Sequence, residues 1–178
     1  MRQIVTNLFF CLLFFGAAAQ SYQPVAEKSN VGFSIKNFGV STGGSFSGLE
    51  GTIVFDKASL EKSAFDVTIN AASVNTDNSA RDNHLRKEEY FDAEKFPKIS
   101  FKSARISSKG SGYTVSGTLT IKGISKTVSF PFTAVQTGDE LQLAGSFQID
   151  RRDFTVGGNS LVLGDKVTVT LKVLAKKK

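Results

Sequence analysis

The stretch Tyr113-Thr114-Val115-Ser116-Gly117-Thr118-Leu119-Thr120-Ile121-Lys122-Gly123 decides the fold. Tyr113, Val115, Leu119 and Ile121 fall on one side of an extended chain, and Thr114, Ser116, Thr118 and Thr120 on the other. That period of two marks a strand with one buried and one wet face. Lys122-Gly123 is a tight reversal into a second run of the same kind, Val128, Phe130 and Phe132. Outward in both directions the pattern repeats. Upstream, Ile99 and Phe101 begin a strand that turns at Gly110 to Gly112. Downstream, Gly138-Asp139 turns into Leu141, Leu143, Phe147 and Ile149. An Asp150 to Asp153 charge cluster and a loop around Gly157-Gly158 follow, and Val167, Val169, Leu171 and Val173 close the series.

The N-terminal half adds three more runs. Val31, Phe33 and Ile35 alternate with Gly32, Ser34 and Lys36; Gly39 to Gly44 reads as a turn; Phe46 to Phe55 reads as one strand; Phe65, Val67, Ile69 and Ala71 form the next. The count is about eight strands with neither repeat nor linker between them. Alternation alone fits a closed barrel or a two-sheet sandwich, since both hide one face. Runs of about ten residues, roughly 33 Å at the usual rise, joined mostly by short reversals, favour an up-and-down barrel, which also removes exposed edges. The predicted fold class is therefore all-β, an eight-stranded antiparallel barrel with a short flanking helix.

That helix is expected where alternation breaks at Ser73. Thr76-Asp77-Asn78-Ser79 offers N-cap residues, and the polar stretch from Ala80 to Tyr90 suits a helix whose few apolar members are Leu85, Tyr90 and Phe91. Phe96-Pro97 ends it, because a residue before proline avoids the helical region. So polar a helix buries little and is expected to cap or flank the barrel.

Residues 1–19 read as a secretory signal peptide: Arg2, an apolar core from Ile4 to Phe15, then Ala17-Ala18-Ala19 for cleavage near Ala19. The expected product is one domain over 20–178, periplasmic or secreted. The single cysteine, Cys11, leaves with the leader, which removes disulfides, thiol catalysis and cysteine metal sites. The chain carries a formal charge of +6. Its lysines are scattered over outward positions and gathered at Lys176-Lys177-Lys178, which reads as a solvated surface with a frayed tail, or as transient attraction to an anionic membrane surface. Export argues against a nucleic-acid partner.

Candidate chemistry is sparse. His84 is the only histidine, so a metal site is not expected. Asp82 could orient His84 as a general base, but neither a nucleophile-elbow serine nor a glycine-rich phosphate loop accompanies it. Arg151-Arg152-Asp153 could pair with carboxylates such as Asp82, Glu88 or Asp153, or contact a phosphate. Four of the sixteen phenylalanines (Phe9, Phe10, Phe14 and Phe15) belong to the leader. Many of the others share a strand face with Val, Ile and Leu, and they can either pack a solid core or line a hydrophobic cavity.

Several segments in order resemble the YceI-like family of exported polyisoprenoid-binding proteins. They are Ser29-Asn30-Val31-Gly32-Phe33, Gly51-Thr52-Ile53-Val54-Phe55-Asp56, Arg81-Asp82-Asn83-His84-Leu85, Tyr90 through Phe101, Gly117 through Gly123, and Arg152-Asp153-Phe154. The resemblance implies a lipocalin-like barrel with an interior pore for a long isoprenoid chain, such as a quinone tail or a prenyl alcohol or phosphate, and no enzymatic turnover. Under that reading the wall residues are Phe33, Ile53, Phe65, Val67, Phe101, Leu119, Phe130, Leu143, Phe147 and Val169. Arg81, His84 and Arg152 are head-group or mouth candidates. The expected partner is the lipid itself, with no other cofactor, on a monomer or homodimer. Two other readings stand beside it: a lipid-modifying enzyme using Asp82 and His84, and a solid-core, stress-related interaction protein.

Overall fold

A computed structural model describes residues 20–178; the leader expected over 1–19 lies outside the described residues. The strands are β1 (Ser21–Pro24), β2 (Asn30–Asn37), β3 (Val40–Phe46), β4 (Glu50–Val54), β5 (Ala64–Asn70), β6 (Lys98–Lys109), β7 (Gly112–Ile121), β8 (Ile124–Thr137), β9 (Glu140–Asp150) and β10 (Leu163–Lys177). One α-helix, α1 (Ser79–Leu85), lies between β5 and β6. The sheet order is β1-β4-β5-β6-β7-β8-β9-β10-β2-β3, and β1 also pairs with β10, so eight strands close a ring.

The other two strands extend that ring at one end. Both β1 and β2 run antiparallel to β10, β1 on its last residues (Tyr22 opposite Lys177) and β2 further back (Gly32 opposite Thr170). They are two pieces of one barrel leg, interrupted by a 3-10 turn at Ala26–Lys28. Likewise β3 pairs with β2 and β4 with β1, so β3 and β4 are the two pieces of the next leg. The expected eight-stranded antiparallel barrel is what forms.

Several local expectations need correction. The reversal expected over Gly39 to Gly44 occupies only Phe38-Gly39, and Val40–Phe46 continues as strand. Gly44 serves packing instead of turning: a Cβ there would lie 2.6 Å from the tip of the Phe33 ring. The single strand expected from Phe46 to Phe55 is broken between β3 and β4, where Leu49 turns into the core. Lys176 and Lys177 do not fray. They are ladder residues opposite Gln23 and Tyr22 and so complete the ring. The helix stops at Leu85 and not Tyr90, and Asn78 is the N-cap, its side chain accepting from the Arg81 N–H at 2.9 Å.

Inward positions sort into two layers. At the β1–β4 end, Tyr22, Ile53, Phe55, Phe65, Ile106, Tyr113, Val115, Phe132, Leu141 and Ala175 form a packed plug. Its rings meet across the bore: Phe55 and Tyr113 at 5.1 Å, Phe65 and Phe132 at 5.4 Å, Tyr113 and Phe132 at 5.3 Å between centroids. At the β2–β3 end, inward side chains such as Ile35, Val67, Val167 and Val169 remain only half-buried, because they face open space. A bulge at Ala104 flips the phase of β6, so Phe101 and Ile106 both point inward. The ring is also incompletely laced. β8 pairs with β9 only from Phe132–Thr137 to Glu140–Gly145, leaving a seam beside the lower halves of both strands. Phe130 and Phe147 stack behind that seam, with centroids 4.1 Å apart.

Candidate ligand cavity and its mouth

Buried and half-buried inward residues together enclose a cavity of about 440 Å³, within the roughly 300–1,000 Å³ of small-molecule sites. Its belt follows from sheet register. Val67, Phe101 and Leu119 are Cα partners on neighbouring strands β5, β6 and β7. Phe33, Val169 and Phe147 are partners on β2, β10 and β9. Phe130 fills the gap between the two sets, 5.4 Å from the Phe101 ring and stacked on Phe147. All seven line the cavity. Ile53, Phe65 and Leu143, also expected in the wall, sit in the plug. Alternation puts them inside, but the bore at their level is filled by aromatic rings. The barrel is thus packed across its bore at one end, while at the other a second buried cluster, with Phe46, Ile69, Ile99, Ile121 and Phe154, surrounds the cavity.

The hollow end is partly roofed by α1 and the chain that follows it. Asp82 is buried, and its Oδ1 accepts from the Thr76 N–H at 2.9 Å and from the Thr76 hydroxyl at 2.6 Å. Arg81 donates Nε to the Thr76 hydroxyl and Nη2 to the Thr76 carbonyl, both at 2.8 Å. Arg86 ties the helix to the preceding loop through the carbonyls of Ala72 and Val74. Phe91, just past the helix, packs edge-on to Phe46 at 5.2 Å, and Phe46 meets Phe33 at 5.5 Å. A backbone bond from Gly157 N–H to the Glu89 carbonyl at 2.8 Å joins this roof to the loop before β10.

Polar side chains are a minority of the lining, and the helix side supplies one cluster of them. Arg81 and His84 line it beside Thr76. With Nε and Nη2 committed, Arg81 keeps Nη1 without a partner among the described residues. His84 is exposed, its ring resting 4.9 Å from that of Tyr90. Asp82 is turned to Thr76 and not to His84, so the arrangement that a general base would need is not formed. The third mouth candidate, Arg152, points outward. It bonds Asp150 and meets Asp165 at 3.1 Å on the surface. Its hydrogen bond to Asp150 and the nearby Asp165 raise its pKa further, while the Arg152 backbone N–H holds the Asp150 carboxyl below its ordinary 3.8.

Arg151 takes the inward place instead. Its guanidinium is buried and donates to the carbonyls of Val156, Gly158, Leu163 and Gly164 and to the Asp165 carboxylate. Every nitrogen is engaged, so this residue builds the loop beside the cavity. Sequence reasoning also passed over Phe46, Phe154, Val156 and Leu171, which line the cavity. Leu171 shares a face with Val169 and was legible; Phe154 ends a 3-10 turn (Arg151–Phe154) that sets which neighbour points in.

A ring of eight strands with one apolar chamber and a sparsely polar entrance defines a small-molecule-binding β-barrel. A family model for the YceI-like domain matches residues 22–175, and the chain belongs to that family. Protein YceI of Salmonella agona is 32% identical over 146 residues, 79% of this chain and 76% of its own. A UPF0312 protein of Pectobacterium atrosepticum is 33% identical over 125 residues; the chain spans 65% of that relative's length, and 52% of a UPF0312 protein from Photorhabdus laumondii. Among solved structures, BcnA of Burkholderia cenocepacia superposes with a TM-score of 0.81 at 29% identity, covering 86% of this chain and 99% of that one. A polyisoprenoid binding domain from Saccharophagus degradans, with a TM-score of 0.70 over 89% of this chain, shares the fold at 17% identity.

Proposed function

We propose that this chain is a non-catalytic carrier or store for a long-chain isoprenoid lipid, of quinone or polyprenyl type, in the periplasm. The observation that carries the reading is the shape of the chamber: apolar, blind at the aromatic plug, with the unspent guanidinium edge of Arg81 and the ring of His84 at its entrance. A hydrocarbon tail would lie against the belt and end at Phe101, Phe130 and Phe147. A phosphate, hydroxyl or quinone head would stay near Arg81 and His84. Ten buried methylene-sized groups contribute about 8 kcal/mol at about 0.8 each. That equals the free energy of a roughly micromolar complex, so even a partly inserted tail offsets much of its ordering cost. An apolar wall discriminates poorly between similar tails, which leaves selection to chamber depth and the entrance. Membership of the YceI-like family and the fold shared with a polyisoprenoid binding domain support the choice of an isoprenoid. The leader read in residues 1–19 supports export.

The test is native mass spectrometry with organic extraction of protein purified from its own host. A co-purifying lipid with an isoprenoid fragmentation series is the expected result. Protein that emerges with no lipid, and stays empty when offered a polyprenyl phosphate or a quinone, would end this reading.

A further inference from the structure

The structure gives the entrance side of the barrel a second feature that the chamber does not explain. Five large apolar side chains are exposed among the described residues, and four stand together: Phe38 (76% exposed), Val40 (66%), Leu161 (106%) and Val162 (40%). Phe38 stands in the tip of the β2–β3 hairpin and Val40 begins β3 beside it; Leu161 and Val162 lie in the loop that enters β10. The two segments are joined by a hydrogen bond from the Phe38 N–H to the Val162 carbonyl at 2.9 Å, and Leu163 is the Cα partner of Asn37. Val162, Leu163, Ser160 and Asn37 also line the cavity, so the patch is the rim of the chamber.

Phe38 is held there against local preference. It has φ 49° and Gly39 φ 78°, the two left-handed positions of a tight hairpin turn. Such a turn favours Asn or Asp before Gly, and a bulky residue with positive φ is an outlier. The other hairpin with this geometry, Lys122-Gly123 (φ 52° and 74°), has a charged residue at that position, as solubility would ask. At Phe38 the chain accepts backbone strain and an exposed ring together, and strain that persists without a packing benefit points to use. Charge narrows the partner. Segments 36–45 and 155–164 contain no aspartate or glutamate and one lysine, Lys36, in a chain of net +6. Nothing in these segments repels an anionic surface.

We propose that this rim docks on a lipid bilayer, with Phe38, Val40 and Leu161 entering the headgroup–acyl boundary and the chamber entrance set against the membrane. Aromatic and aliphatic side chains bordered by a cation suit that depth. The inference rests on the carrier reading only for the purpose it serves; the docking itself does not depend on what the chamber holds.

Flotation with vesicles of phosphatidylethanolamine and phosphatidylglycerol tests it, using the exported protein and variants with the same N-terminus. Wild type should float, and Phe38→Asn should reduce partitioning at least tenfold while raising the melting temperature, because Asn suits the turn. Val135→Ser, at the fifth exposed apolar residue on β8, should float like wild type. Uptake of the fluorescent polyene parinaric acid, measured without vesicles, should be unchanged in Phe38→Asn. Flotation of Phe38→Asn at the wild-type level would overturn the proposal. So would wild type that takes up the polyene and does not float. If sedimentation shows a dimer abolished by Phe38→Asn and no vesicle binding, the rim is a contact between copies and the proposal is wrong. Flotation by protein that carries no lipid and stays empty when offered a polyprenyl phosphate or a quinone would sink the carrier reading and leave the docking rim standing.

Discussion

Removing the Arg151 side chain would leave the carbonyls of Val156, Gly158, Leu163 and Gly164 without their shared donor. Arg151→Ala should cost about 3 kcal/mol, the lower end for breaking a buried charged network, and lower the melting temperature by roughly 6–12 °C in a chain of this size. Arg151→Lys should not rescue it, because one ammonium cannot reach acceptors spread around a planar fork; calorimetry decides. Asp150 gives a pH signature. Its folded pKa is depressed, first by the Arg152 N–H, so its contribution is present above the unfolded value near 3.8 and is lost as pH falls through the folded one. Thermal melts of Asp150→Asn should therefore show a deficit at neutral pH that closes in strong acid. Which of two adjacent arginines faces the chamber was not legible: the 3-10 turn after β9 rotates Arg151 in and Arg152 out, and no periodicity encodes that rotation. Arg81 and His84, by contrast, were named as mouth candidates under the family resemblance, and both line the cavity.

Among elements, the strands that alternate cleanly were read correctly, and β7, with its two-residue reversal into β8, is the clearest case. β1 was missed because four residues containing Pro24 carry no pattern; its strand character comes from pairing with the chain's far end. The division between plug and chamber was invisible for a different reason. Ile53 and Val67 both alternate inward, and only the rings opposite decide whether space remains. Two substitutions test that division. Ile53→Ala, in the plug, should cost about 2–5 kcal/mol and leave polyene uptake intact. Phe147→Ala, at the chamber floor, should cost less because the ring is only half-buried, and should admit a longer tail, read as a higher chain-length limit in a series of prenyl alcohols.

For the whole molecule, closure depends on the two termini of the domain meeting. Deleting residues 175–178 would remove the partners of Tyr22, Gln23 and Pro24, together with the Lys178 N–H bond to the Ser21 carbonyl. The same deletion removes the pairing of Ala175 and Lys176 with β9 and the Lys177 N–H bond to the Asp139 carbonyl; at about 1 kcal/mol per lost bond, the truncated protein should lose at least about 4 kcal/mol, and hydrogen exchange should show residues 21–24 unprotected. The plug draws on every strand of the closed ring: Tyr22, Ile53, Phe65, Ile106, Tyr113, Phe132, Leu141 and Ala175 come from β1, β4, β5, β6, β7, β8, β9 and β10 in turn. Cooperative folding is thereby anchored in a part of the barrel that does not line the cavity. Descendants of one ancestral barrel could therefore diversify what they accommodate by altering the other part, with foldedness insulated from each experiment in specificity.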